Sequence, residues 1–239
     1  TINSSGSIAI GSDNVAGATG NRSVAIGIGN TSSGAYGIAV GFENTASNEK
    51  SSAVGYDNTA SDLFTSAFGY NNTASDVKSN AYGFGNTSSK EGSSAFGDAN
   101  IADGMFSNAF GYGNKASGRS ANAFGGYNFA LGDETIAYGR YNYAYEAQAS
   151  AFGYGNVASG PRSIAFGWQN NVLIDSDYNY IDEYQSGANS SAIGFNNVAI
   201  GSDSTAMGFQ NFADGVESVA VGHNNSGLGN KSVAMGNQN

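Results

Sequence analysis

The sequence predicts an all-β solenoid, a β-roll of about sixteen fourteen-residue coils with two short strands in each, and three observations carry that prediction. The triplet Ala-Φ-Gly, with Φ a bulky apolar residue, recurs sixteen times, at Ala9, Ala25, Ala39, Ala53, Ala67, Ala81, Ala95, Ala109, Ala123, Ala137, Ala151, Ala165, Ala192, Ala206, Ala220 and Ala234. The steps are one of 16, ten of 14, one of 27 and three of 14. In every frame an Asn stands three residues after the Gly, from Asn14 to Asn239. Two residues past that Asn most frames carry a second small residue, such as Ala46, Ala60, Ala74, Ala116, Ala158 or Ala213. Helical-repeat units run to about 20 residues or more, so a period this short fits one turn of a β-solenoid.

Each element of the repeat has a steric reason. A coil this short, with two turns, leaves about four or five residues per strand and almost no interior width, so inward positions take Ala, Ser or Gly. The two alanines of a coil lie on opposite strands and stack at about 4.8 Å per coil into two facing columns. Gly11, Gly27, Gly41 and their equivalents suit a turn that needs positive φ or close backbone approach. The Asn that follows tolerates the left-handed conformation or bonds its own backbone, and stacked Asn amides can hydrogen-bond along the axis.

Strand alternation puts Φ on the face opposite the alanine, pointing out of the coil. The column comprises Ile10, Ile26, Val40, Val54, Phe68, Tyr82, Phe96, Phe110, Phe124, Tyr138, Phe152, Phe166, Ile193, Met207, Val221 and Met235. Burying such side chains is worth about 1.5 to 3 kcal/mol each, and an apolar stripe of this extent exceeds what monomers expose. The same stripe on other copies of the chain is the simplest cover, which predicts a parallel homo-oligomer with Ile26 through Val221 at its interface. Periodicity does not choose the number of chains. The residue after each Gly, including Phe42, Tyr56, Tyr70, Phe84, Tyr112, Tyr154, Trp168, Phe195 and Phe209, shares that parity and is expected to join the intersubunit packing or to form an exposed aromatic ladder.

The 27-residue step inserts 13 residues within 170–190, in an otherwise single repeat body spanning residues 1–239. Here Asp175, Asp177, Asp182 and Glu183 alternate with Tyr178, Tyr180 and Tyr184. Loops on rigid scaffolds are common recognition elements, and Tyr offers both apolar area and a hydrogen-bonding tip. These seven residues are the candidate receptor contacts; packing against a neighbouring chain is the structural alternative.

Composition narrows the function. With 36 Gly, 12% aromatic residues and 12% charged residues the chain is no disordered polymer, and the absence of Cys removes disulfides and thiolate chemistry. A net charge of −10 argues against nucleic acid, and no apolar run is long enough to span a bilayer, so no membrane contact is expected within these residues. One His, His223, and scattered carboxylates form no catalytic or metal constellation, so neither an enzyme nor a cofactor is expected. Thr31, Thr45, Thr59, Thr73 and Thr87 form a column of the kind ice-binding solenoids display, but it stops at Ile101 and Lys115 and better suits an outward β-branched strand position.

The repeats SVAIGIGNTSSGAY (residues 23–36) and SVAVGHNNSGLGNK (218–231) resemble the S-V-A-I-G-x-x-S-x-A-x-G-x-x repeat of the head domains of trimeric autotransporter adhesins, whose prototype is the Yersinia adhesin. The resemblance covers essentially the whole chain. It implies a left-handed parallel β-roll, a homotrimer about one axis, and display on the bacterial cell surface with outer-membrane anchoring through a C-terminal region beyond this fragment. It also implies non-enzymatic adhesion in a virulence setting. Two departures stand out: Asn replaces the family's usual Ser after the Gly, and aromatics replace Ile or Val in the central coils. The Asn- and Tyr-rich texture is similar to that of fusobacterial members, some of which bind carcinoembryonic-antigen-related cell adhesion molecules. The partner implied is a host cell-surface protein of that kind, or an extracellular-matrix protein such as collagen or fibronectin. A purely structural spacer of a surface fibre is the alternative.

Overall fold

The computed structural model describes residues 1–2, 5–17, 22–174, 180–183 and 185–239. All regular structure among them is β, divided between two compact units, Thr1–Ala116 and Ser117–Asn239. In the first unit eight parallel five-residue strands run in sequence order from Ile8–Ser12 to Asn108–Tyr112. A second parallel ladder of two-residue strands runs from Val15–Ala16 to Lys115–Ala116. The second unit has eight long strands, from Asn122–Gly126 to Val233–Asn237. Its short strands form two groups, Phe129–Ala130 to Val157–Ala158 and Val198–Ala199 to Ser226–Gly227. The parallel solenoid with two strands per coil is therefore present, but the strands are unequal, five residues and two. The second is shorter than expected because a turn follows almost at once on either side of it.

Register is set by identity. Ala67 pairs with Ala81, Phe68 with Tyr82 and Gly69 with Gly83, and each neighbouring coil repeats the pattern. The inward alanines of both strands, Ala39, Ala46, Ala53, Ala60, Ala67, Ala74 and Ala81, are fully buried and form one cluster, as do Ala192, Ala199, Ala206, Ala213 and Ala220. Any larger side chain in these columns would overpack an interior only two short strands wide.

The interior also holds one Asn per coil, which the expectation of Ala, Ser and Gly alone did not include. Asn72 is fully buried. Its Nδ2 donates to Oδ1 of Asn58 at 2.9 Å, to the Phe68 carbonyl at 3.0 Å and to the Gly83 carbonyl at 2.7 Å. Its Oδ1 accepts from the backbone N–H and Nδ2 of Asn86, both at 3.0 Å. Because the amide's whole donor and acceptor capacity is met, its burial carries no orphan penalty. The left-handed conformation falls one residue earlier than the Asn: Asp57 (φ 52°) and Asn71 (φ 53°) adopt it, leaving Asn58 and Asn72 free to point inward.

The glycines serve both purposes expected of them. Gly83 has φ 119°, and a Cβ there would lie 2.1 Å from the Gly97 carbonyl oxygen of the next coil. Coil stacking thus leaves no room for a side chain at this corner.

Candidate functional site: the aromatic columns

Φ projects outward, as alternation demands, and in the first unit it forms a uniform stack. The rings of Phe68, Tyr82, Phe96 and Phe110 follow one another at centroid distances of 5.0, 4.7 and 4.8 Å with interplanar angles of 8° or less. These spacings are those of the strands themselves, so the sheet dictates the stacking. Beside it runs a second column, the residue after each Gly, where Phe42, Tyr56, Tyr70 and Phe84 stack at 5.0, 4.8 and 5.0 Å. Tyr56, Tyr70 and Phe84 are more than two-fifths exposed, so this chain alone does not cover them.

In the second unit the Φ stack is broken into alternation. Phe124–Tyr138, Tyr138–Phe152 and Phe152–Phe166 are tilted by 46°, 39° and 46° at 6.4, 6.5 and 6.2 Å. The cause lies two residues upstream on the same strand face. Tyr138 and Phe166 follow Ile136 and Ile164, whereas Phe124 and Phe152 follow Asn122 and Ser150. The bulky isoleucines turn their rings outward, and Tyr138 and Phe166 are 58% and 54% exposed while their alternates are half-buried.

A denser aromatic group stands at the first turn of these coils. Tyr127 and Tyr141 stack at 5.4 Å, Tyr141 meets Tyr154 edge-on at 5.8 Å, and Tyr154 stacks on Trp168 at 4.4 Å. The Arg140 guanidinium lies 4.8 Å from the Tyr141 ring centroid and donates to its hydroxyl at 3.2 Å. On the short strands Phe129 and Tyr143 stack at 4.9 Å in the column that threonines fill in the first unit. Tyr127 and Tyr141 have φ of 53° and 57°, where other coils place Asp, Glu, Asn, Gln, Ala or Gly. The sequence reading did not single them out as candidates. The available signal was an aromatic at a turn position that otherwise takes small or polar residues.

Of the insertion's candidate residues, Asp175, Asp177, Tyr178 and Tyr184 lie outside the described residues. Tyr180, Asp182 and Glu183 belong to the strand Tyr180–Glu183, which pairs antiparallel with Val172–Ile174, Val172 opposite Glu183 and Leu173 opposite Asp182. Both ends of the insertion are tied to the solenoid. The Asn171 side chain bridges the Val157 carbonyl and the Ala199 N–H, each at 2.9 Å, and the Ser186 hydroxyl accepts the backbone N–H groups of Ser159 and Gly160 at 2.7 and 2.8 Å. His223 is exposed, stacks on Phe209 at 5.1 Å and shares a hydrogen bond with Asn237 at 3.0 Å. No group of three or more His, Cys, Asp or Glu among the described residues could hold a metal ion.

No curated protein matches the chain. Among solved structures, the polySia specific acetyltransferase NeuO is similar at 12% identity over 98% of this chain and 81% of that one, with a TM-score of 0.13, a likeness that carries no argument. The YadA head domain repeat, two copies to a match, fits residues 18–44, 46–72, 88–114, 144–170, 186–211 and 213–239. Those segments take in well over half of the sequence, so the chain belongs to the YadA head-domain family, the adhesin heads of trimeric autotransporters.

Proposed function

We propose that this chain is a non-enzymatic attachment head, displayed on the bacterial outer surface and working as a parallel homotrimer that binds a host protein. The observation that carries the reading is the half-open Φ column in each unit, from Ile26 to Phe110 and from Phe124 to Val221, set in a repeat of adhesin type. A stacked column such as Phe68 to Phe110 has a flat outer edge that a neighbouring copy can cover. Receptor contact then falls to the Tyr- and Asp-rich insertion and to the adjoining group of Tyr127, Tyr141, Tyr154, Trp168 and Arg140. Tyr, Trp and Arg are the residue types that dominate interface energetics. Three copies raise the effective concentration of each site against clustered receptors.

The partner class is a host cell-surface protein, with carcinoembryonic-antigen-related cell adhesion molecules among the candidates, or a matrix protein such as collagen or fibronectin. The test is saturable binding of the purified chain to immobilised ectodomains and matrix proteins. It is repeated with Trp168→Ala and with a variant lacking residues 172–184 that also carries Gln185→Ala. Saturable binding that both variants weaken supports the assignment. Absence of binding to any host surface would reduce the chain to a spacer.

A further inference from the structure

We propose that the second turn of the coils in the first unit is a rail for a neutral, extended, β-linked glycan. The turn column runs Gly6, Arg22, Tyr36, Lys50, Phe64, Lys78, Gly92 and Phe106, and all eight have left-handed φ, between 55° and 73°. From Tyr36 onward the turn closes by a hydrogen bond from the residue after each to the residue two before it, as from Gly37 N–H to the Gly34 carbonyl at 3.0 Å. Gly or Asn suits such a position, and a bulky L-residue there is strained. Gly92 shows that this column accepts glycine, yet three coils carry a large ring instead. Core packing does not explain them, because Tyr36, Phe64 and Phe106 are 49%, 46% and 49% exposed. In the second unit the same column reads Ser120, Glu134, Gln148, Arg162, Asn189, Asp203, Glu217 and Lys231, with no ring at all.

The three rings share one pose. Each leans over the preceding coil: Arg22 lies 5.9 Å from the Tyr36 ring centroid and Lys50 lies 4.8 Å from that of Phe64. The Phe106 ring occupies the space of the missing Gly92 side chain, where a Cβ would fall 2.6 Å from the ring. Each ring is thus supported by the preceding coil while about half of its residue stays exposed, and an exposed, supported aromatic surface is what stacks on the C–H face of a pyranose. Coils repeat at about 4.8 Å, close to the length of one sugar residue in an extended β-linked chain. Rings two and three coils apart therefore meet sugars in matching register.

Charge favours a neutral ligand. Lys50 is paired with Glu49 at 3.0 Å, and Asp62, Asp76 and Glu91 lie on the same edge as Lys78 and Lys90. The edge has no cationic excess, and the chain's net charge of −10 repels polyanions. This rail lies on a different turn from the aromatic group around Trp168 and does not depend on the protein-receptor reading.

The experiment titrates the purified chain with cellohexaose, the hexamer of N-acetylglucosamine, the corresponding dimers and a hyaluronan hexamer. Expected is binding of a neutral hexamer over its dimer. The variant Tyr36→Gly/Phe64→Gly/Phe106→Gly should weaken that binding roughly tenfold or more. Glycine suits each φ, so the variant's Tm should stay within about 4 °C of the parent. Gly92→Ala, which pushes the Phe106 ring away, should weaken binding without touching a ring. Lack of binding by both neutral hexamers, or undiminished binding by the triple variant, overturns the proposal. So does a change of oligomeric state in the triple variant, which would make the rings a subunit contact. Preferential, salt-sensitive binding of hyaluronan overturns the neutral assignment.

Discussion

The side-chain oxygen of Asn171 accepts the backbone N–H of Ala199, 28 residues further along, at 2.9 Å, while its Nδ2 donates to the Val157 carbonyl at the same distance. One side-chain amide thereby stands where the short ladder lacks a strand, joining its two groups in the second unit. Without it, the carbonyl of Val157 and the N–H of Ala199, both in buried residues, would lose their partners. Asn171→Ala should cost about 2 to 4 kcal/mol, one to two buried unmet groups, read from urea unfolding. A loss below about 0.5 kcal/mol would mean that water or a shifted backbone takes over the bridge.

Removing the insertion tests how the ladder crosses it. Asn170 already bonds to Asn197, from the Asn197 N–H to Oδ1 at 2.9 Å, and Ala165 pairs with Ala192, so the long strands ignore the 27-residue step. Deleting residues 172–184 restores a step of 14 but brings Gln185 to the inward slot that Ala158 fills one coil earlier. The deletion alone should therefore destabilise by roughly 3 kcal/mol or more, from overpacking and an unmet buried amide. Adding Gln185→Ala should recover most of that loss. Equal Tm values for the two deletions would show that Gln185 does not enter the core.

Two neighbouring glycines make an internal comparison. Gly83 and Gly85 both have positive φ, 119° and 62°, but a Cβ on Gly83 would meet the Gly97 oxygen at 2.1 Å, whereas one on Gly85 would meet nothing within 4 Å. Gly85→Ala should cost about 1 to 2 kcal/mol, the conformational term alone. Gly83→Ala must also separate two coils, and should cost more than about 4 kcal/mol or prevent folding. Similar melting temperatures for the two variants would contradict the stacking geometry.

These comparisons show what was legible in the letters. The facing alanine columns, the outward Φ and the Asn ladder all follow from one residue type recurring at one offset, because a parallel solenoid in strict register converts offset into position. What the letters hid is conformational. The left-handed site at Asn71 rather than Asn72, or at Tyr36 and Phe64, has no invariant residue to mark it, since Asp, Lys, Tyr, Phe and Gly all occupy such corners. The alternating tilt of Tyr138 and Phe152 was equally out of reach, because it depends on packing between Ile136 and a ring on the same face. Nothing in the letters marks Asn171, and only the gap in the short ladder reveals its role.

The Asn ladder predicts a reversal of the usual rule that isosteric changes are mild. At Asn72 every nearby oxygen, from Asn58, Phe68 and Gly83, needs a donor. Asn72→Ala takes the acceptor from the Asn86 N–H and Nδ2 and withdraws the side-chain donor from all three oxygens, of which Asn58 Oδ1 keeps the residue-72 backbone N–H, and it should cost roughly 3 kcal/mol. Asn72→Asp places a carboxylate against them and should cost more at neutral pH. Its protonated form is favoured in the fold, so the introduced group has a raised pKa and the penalty should shrink as pH falls and grow as pH rises. A stability difference between the two variants that does not change with pH would refute the assigned donor directions.

The outer face of the long sheet yields the last prediction, because it separates a covered column from an open one. Phe96 stacks between Tyr82 and Phe110 at 4.7 and 4.8 Å and is only half-buried within its own chain. In an isolated chain Phe96→Lys would lose ring contacts worth about 1 kcal/mol and leave the fold intact, with the ammonium in water. In a homotrimer built on this column the same change buries one unpaired cation per chain, a cost of several kcal/mol each. Sedimentation should therefore show the parent at three times the chain mass, and Phe96→Lys at one chain mass with β structure retained. Tyr70→Lys, in the neighbouring column, reports whether that second ladder is also covered: dissociation places it in the interface, and an intact trimer leaves it facing outward. A parent that sediments as a single chain, with Phe96→Lys indistinguishable from it, would remove the Φ column as an interface and with it the trimeric reading.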